Sequence, residues 1–157
     1  MNHLTPEIQT LILSSLQTAR KASELSFLLE DVAAATYKQD TDLKTAIEKI
    51  ADYSNELANA LRALDSGKAR EVALESQNLL RHADRIKVEM SYVPSKDFES
   101  GLYEIFKTLG YKDFLLEFTV VSDTETGAHI YHNGNFIDIS MFNIIKEKLR
   151  EVNFNSL

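Results

Sequence analysis

A histidine held beside a carboxylate can move protons near neutral pH, because the carboxylate orients the imidazole and favours its charged form. His129 and Asp138 are placed for that chemistry by the dipeptide between them, Asn133-Gly134. Both residues of the dipeptide accept positive φ, so it favours a two-residue type I′ hairpin. Such a turn dictates register: His132 opposite Asn135, Tyr131 opposite Phe136, Ile130 opposite Ile137, His129 opposite Asp138 and Ala128 opposite Ile139. Ala128, Ile130, Ile137 and Ile139 then share one face, which we assign to the core. His129, Tyr131, Phe136 and Asp138 share the other.

Joined by Leu115 and Val121 of a preceding strand, that second face reads as an aromatic patch rimmed by Glu117, Thr119, His129 and Asp138. The candidate binding residues are Leu115, Tyr131, Phe136, His129 and Asp138. The competing structural reading is that the face covers the helical part of the chain, because a small sheet module needs burial on both sides. No residue is assigned a catalytic role. The sequence sets no serine or cysteine nucleophile beside His129 and Asp138, and opposite-charge cross-strand pairs stabilise sheets by about 0.2–1 kcal/mol without chemistry.

Metal and nucleotide sites fare less well. His129 and His132 point to opposite faces of one strand and cannot both ligate one ion from it. His82 sits among Arg81, Asp84 and Arg85 on what reads as a solvated helix face, and His3 is terminal. Ser66-Gly67-Lys68 has the last residues of a phosphate-binding loop, but the upstream glycine is missing and a helix precedes it. No cofactor and no metal are expected.

The elements that must position the patch are read from periodicity. Thr5 can cap a helix with Pro6 in its first turn. From there to about Tyr37, Ile8, Leu11 or Ile12, Ser15, Ala19, Ala22, Leu25, Leu29 and Val32 recur at helical spacing, and Leu13, Leu16 and Phe27-Leu28 form a second stripe. A helix apolar on two sides needs two partners. Asp40-Thr41 offers a second cap, followed by the seam Leu43, Ile47, Ile50, Ser54, Leu57, Leu61 and Leu64. Asp65-Ser66-Gly67 ends it, and a third helix is predicted from Lys68 to about Met90 with Ala69, Val72, Ser76, Leu79, Ala83, Ile86 and Met90 as its seam. Folding back at Asp65 would oppose Leu61 to Ala69, Leu57 to Val72, Ser54 to Ser76, Ile50 to Leu79 and Ile47 to Ala83, large against small and polar against polar. That predicts a three-helix antiparallel bundle.

Val93-Pro94 breaks the helix. Ser95 can cap a new one bearing Phe98, Leu102, Ile105, Phe106 and Leu109, which ends at Gly110. Phe114, Leu116, Phe118 and Val120 alternate as a strand, 123–127 reads as a turn, and the hairpin follows. Ser140 can cap a last helix with Phe142, Ile145, Leu149 and Val152. The expected architecture is α+β: residues 1–92 an N-terminal three-helix antiparallel bundle, and residues 93–157 an α-βββ-α module with a three-stranded antiparallel sheet packed on it.

Composition narrows the function classes. The chain has 157 residues, 44% apolar and 26% charged, which suits a folded chain rather than a disordered one. It has no cysteine, no signal-peptide pattern at its start, and no apolar run near the roughly 20 residues of a membrane span, so a cytoplasmic, non-membrane protein is expected. Its net charge is −7 without a basic stripe, which argues against nucleic acid. The module is similar in element order to double-stranded RNA-binding domains. Those need bases at the start of the final helix, where this chain has Ser140-Met141-Phe142-Asn143 and no lysine before Lys146.

The preferred expectation is a non-enzymatic interaction protein: an adaptor, regulator or inhibitor of the kind small bacterial or phage accessory proteins supply. It would bind a protein partner through helical or sheet surfaces, with self-association through the first helix open to it. One alternative is a small enzyme or ligand-binding domain with a pocket between bundle and sheet, using His129, Asp138 and Tyr131. Another is an acidic mimic or nucleic-acid-associated protein.

Overall fold

A computed structural model describes residues 4–35, 40–122 and 127–139 of the chain. The elements are α1 (Pro6–Leu16), α2 (Ala19–Ala35), α3 (Asp40–Ile50), α4 (Asn55–Arg62), α5 (Ser66–His82), β1 (Asp84–Met90), α6 (Lys96–Thr108), β2 (Phe114–Val120), β3 (Ala128–His132) and β4 (Asn135–Asp138). The fold is α+β, with six helices among the described residues and one four-stranded mixed sheet in the order β2-β1-β3-β4.

The three-helix bundle needs correction, because each predicted long helix is broken. The first divides at Gln17, whose φ is +62°. The Gln17 carbonyl accepts from the Leu116 amide at 2.9 Å, and Thr18 bridges to Leu116 at the outer edge of β2. Thr18 restarts the helix, its carbonyl accepting from Ala22 N–H at 3.1 Å. The second divides at Ser54, which is buried and caps α4 by accepting from the Leu57 amide at 3.3 Å. Ser76, its predicted partner, is also buried but donates to the Val72 carbonyl at 2.8 Å. Each seam serine is thus satisfied by nearby backbone, as buried hydroxyls must be. The chain turns at Asp65, but Gly67 lies within α5 rather than ending the preceding helix; the Asp65 side chain caps α5 by accepting from Lys68 N–H at 2.9 Å. Beyond it α5 packs chiefly along α2 rather than on α3 and α4.

The third predicted helix is overturned beyond His82. Ile86 and Met90 are not seam residues of a helix but lie in β1, where Ile86, Val88 and Met90 are buried and alternate with Arg85, Lys87 and Glu89. The three-stranded antiparallel sheet is corrected by the same strand. β1 enters the sheet between β2 and β3, parallel to β2 in the register Asp84↔Phe114 to Met90↔Val120, and antiparallel to β3. A parallel pair needs a crossover, and α6 provides it, capped by Ser95 as expected. Residues on both sides of position 92 therefore build one sheet.

Two apolar clusters result. The helical one joins residues such as Ile12, Leu16, Leu25, Leu29, Ile50, Leu57 and Leu61, each fully or almost fully buried, and it includes Leu115 from β2. The second joins Ile86, Val88 and Met90 of β1 to Leu102, Tyr103 and Phe106 of α6 and to Phe114, Leu116, Ala128 and Ile130. Removing a leucine-sized side chain from water contributes about 1.5–3 kcal/mol, so these clusters dominate the stability. The face of α6 differs by a small rotation from expectation: Tyr103 is buried, while Ile105 and Leu109 are exposed. Ile137 and Ile139, assigned to the core, are exposed as well. Of the predicted turn at 123–127, residues 123–126 lie outside the described residues, as does the predicted last helix from Ser140. No described helix is long and apolar enough to cross a membrane.

Candidate functional site

The hairpin carrying the candidate patch forms as its turn chemistry requires. Asn133 and Gly134 take φ of +49° and +77°, the signature of a type I′ turn. The register is the expected one: His132↔Asn135, Tyr131↔Phe136, Ile130↔Ile137 and His129↔Asp138, with the Ile139 amide bonded to the Ala128 carbonyl at 3.0 Å.

On the face opposite α6, Tyr131 and Phe136 pack ring against ring with centroids 5.1 Å apart, and His129 meets the Phe136 ring edge-on at 5.4 Å. His129 Nε2 lies 3.7 Å from Asp138 Oδ1, a distance for a loose ion pair when the imidazole is protonated. The neighbouring strand β1 extends the patch. Lys87 Nζ is 2.8 Å from Glu89 Oε1 and 5.8 Å from the centre of the Tyr131 ring. The hydrogen bond with Glu89 raises the Lys87 pKa, and its counterpart lowers that of Glu89. Desolvation, then the Glu89 carboxylate, push the Tyr131 phenol up. Its proton is held in the neutral range, so Tyr131 acts here as an aromatic surface with a hydrogen-bonding tip.

The structure brings four of the five candidate residues together and separates the fifth. Leu115 lies on the same sheet face but is fully buried under the helices, in the cluster with Leu13 and Leu16. Tyr131 and Phe136 remain 36% and 54% exposed. The described helices therefore cover the β2 side of this face, where Leu115 is buried, and leave Tyr131 and Phe136 on the β3–β4 side exposed. Phe27, the other end of the second stripe on the predicted first helix, is exposed on α2.

A second histidine–aspartate pair was not legible in the sequence. His132 Nε2 is 2.6 Å from Asp84 Oδ2, with the Tyr111 ring 5.2 Å away and edge-on. Asp84 opens β1, and reading that segment as helix concealed the contact. The alternation of Ile86, Val88 and Met90 was the signal that could have revealed it. Asp84 also lines a cleft of about 400 Å³ with Glu75, Asn78, His82 and Asp113. Its polar atoms are engaged locally: Glu75 accepts from the Leu4 amide, Asp113 from the Thr10 hydroxyl, and His82 Nδ1 meets the Asn78 carbonyl. Among the described residues no group of three histidines or carboxylates is placed to hold a metal ion.

No protein-family model matches this chain, and no curated protein matches it.

Proposed function

We propose that the chain is a non-enzymatic interaction protein, an adaptor, regulator or inhibitor, that docks a protein partner on the β3–β4 side of its sheet. The observation that carries this reading is the exposed Tyr131–Phe136 pair, framed by His129–Asp138 and Lys87–Glu89. Paired aromatics on an open surface with a polar rim have the anatomy of a protein interface. The charged groups around them are already matched within the sheet, so docking does not strand an unpaired charge. The alternative of an enzyme or ligand pocket built on His129, Asp138 and Tyr131 has less support, because these residues lie on the sheet's open side and line none of the clefts described. The acidic-mimic reading rests on net charge alone.

The test is affinity capture with the full chain as bait and mass spectrometry of what is retained, repeated with Phe136→Glu. A specific partner lost on that substitution supports the proposal. Equal retention by both baits, or no partner at all, sinks it. Self-association through the first helical segment is a secondary reading, favoured by the exposure of Phe27. Light scattering of the wild type and Phe27→Ser decides it, a monomer in both cases ruling it out.

A further inference from the structure

The sheet has a second feature suited to a partner, at its opposite edge. Leu116 N–H points outward from β2 to the Gln17 carbonyl, whereas Val121 N–H points inward to the Met90 carbonyl. In an extended strand the backbone alternates, so the N–H and C=O groups of Phe118 and Val120 point outward like those of Leu116. Among the described residues, this edge is bridged at Thr18, after which α2 begins at Ala19. Among the described residues no partner meets the outward groups of Phe118 and Val120.

Beside this open stretch lies a cleft of about 330 Å³, lined by Arg20, Ser23, Arg85, Val93, Pro94, Phe118 and Val120 among others. Val93 and Val120, apolar side chains of this cleft, are 74% and 52% exposed. The closed end is built firmly. Ser100 of α6 bonds Gln17 at 3.2 Å, and Arg20 lies 3.9 Å from Glu99, while Arg85 lies 3.3 Å from Glu117. A smaller neighbouring cleft shares Ser23 and Arg85 and adds Arg81, so three guanidiniums outweigh two carboxylates there.

We propose that the outer edge of β2 beyond Thr18 binds the C-terminal segment of a partner protein as an added antiparallel strand, its terminal carboxylate held by Arg20 and Arg85. The orientation follows from the closed end. An added strand must stop where Thr18 and α2 occupy the edge, so its terminus meets Arg20. The Arg20 side chain is 62% exposed and that of Glu99 only 10%, so the group presented to the groove is the cation. A carboxylate is attracted there and an ammonium repelled, which makes the strand antiparallel. Main-chain bonds to Phe118 and Val120 would supply affinity, and alternate side chains would pack on Val93, Pro94 and Val120.

The inference rests on the reading of the chain as an interaction protein, but on a different surface. Its test uses the full chain as bait for a displayed pool of random C-terminal peptides about seven residues long, enough to exceed the open edge. An enriched peptide is then titrated by fluorescence anisotropy. Amidating its C-terminus and substituting Arg20→Ala should each weaken binding about tenfold or more. Val120→Pro removes one outward N–H while sparing the ladder to β1, and should weaken it as much. The amide resonances of Phe118 and Val120 should move on binding, and Phe136→Ala should change nothing. Enrichment no greater than on a Val120→Pro bait, or equal binding of acid and amide, overturns the proposal. A failure here leaves capture through Phe136 standing, and a failure of that capture leaves the peptide titration standing.

Discussion

Asp65 shows how much one carboxylate can decide. It closes the α4–α5 corner by accepting from the Lys68 amide, and that backbone hydrogen bond holds its pKa below the ordinary 3.8. A depressed carboxylate contributes stability that is present above its unfolded pKa and is lost as pH falls through its folded one. The stability gap between wild type and Asp65→Ala should therefore be full at neutral pH and close below about pH 4, which urea titrations at several pH values will show. Ser54 is the uncharged counterpart. Replacing it with alanine removes a buried cap and should cost about 1 kcal/mol, read from the urea midpoint at unchanged slope. At Phe136 the expectation is reversed. Its ring is more than half exposed, so Phe136→Ala should cost under about 1 kcal/mol in stability, the worth of a cross-strand pair. In the complex it should cost about 2 kcal/mol or more, as interface anchors do, measured by calorimetry with the captured partner.

At the scale of elements, the hairpin and β1 make instructive opposites. The hairpin is specified locally. Two residues with positive φ set the turn, and the turn sets every pair along β3 and β4. Gly134→Ala places a side chain in that left-handed conformation and should cost about 1–2 kcal/mol in thermal or urea unfolding. A loss near zero would mean that the turn is not type I′ in solution. β1 is specified by its neighbours. Ala83, Ile86 and Met90 fit a helical seam, and Ile86, Val88 and Met90 fit a strand equally well, so periodicity alone does not choose. The choice is made by β2 on one side and β3 on the other, which satisfy the β1 backbone along both edges. The breaks at Gln17 and Ser54 follow the same logic. Thr18 and Ser54 are ordinary capping residues, but without glycine or proline beside them the apolar spacing reads straight through.

Across the whole molecule, Leu115 links the two clusters. Its neighbours Phe114 and Leu116 face α6, while its own side chain is fully buried among the helices. Leu115→Ala should therefore cost about 2–5 kcal/mol. If the halves are one cooperative unit, helical circular dichroism and amide exchange in the sheet should lose stability together. Separate transitions would show that they fold independently. The placement of Leu115 also separates the two surfaces proposed for partners. The described helices cover one face of the sheet where β2 begins, at Leu115, while Tyr131 and Phe136 on β3 and β4 stay exposed and Phe118 and Val120 lie further along the β2 edge.

By itself the sequence determined whatever depends on residues close in the chain. That includes the type I′ turn and its register, the caps at Thr5 and Ser95, the strand at 114–120, and the grouping of Tyr131, Phe136, His129 and Asp138 on one face. Only the tertiary structure decided that residues 84–90 are a central strand, that Leu115 belongs to the helical core rather than to the patch, and that His132 meets Asp84. Those outcomes turn on backbone hydrogen bonds and burial between segments dozens of residues apart. Local spacing carries no record of such partners, because one apolar pattern can satisfy a helix seam or a strand until a neighbour arrives to complete it.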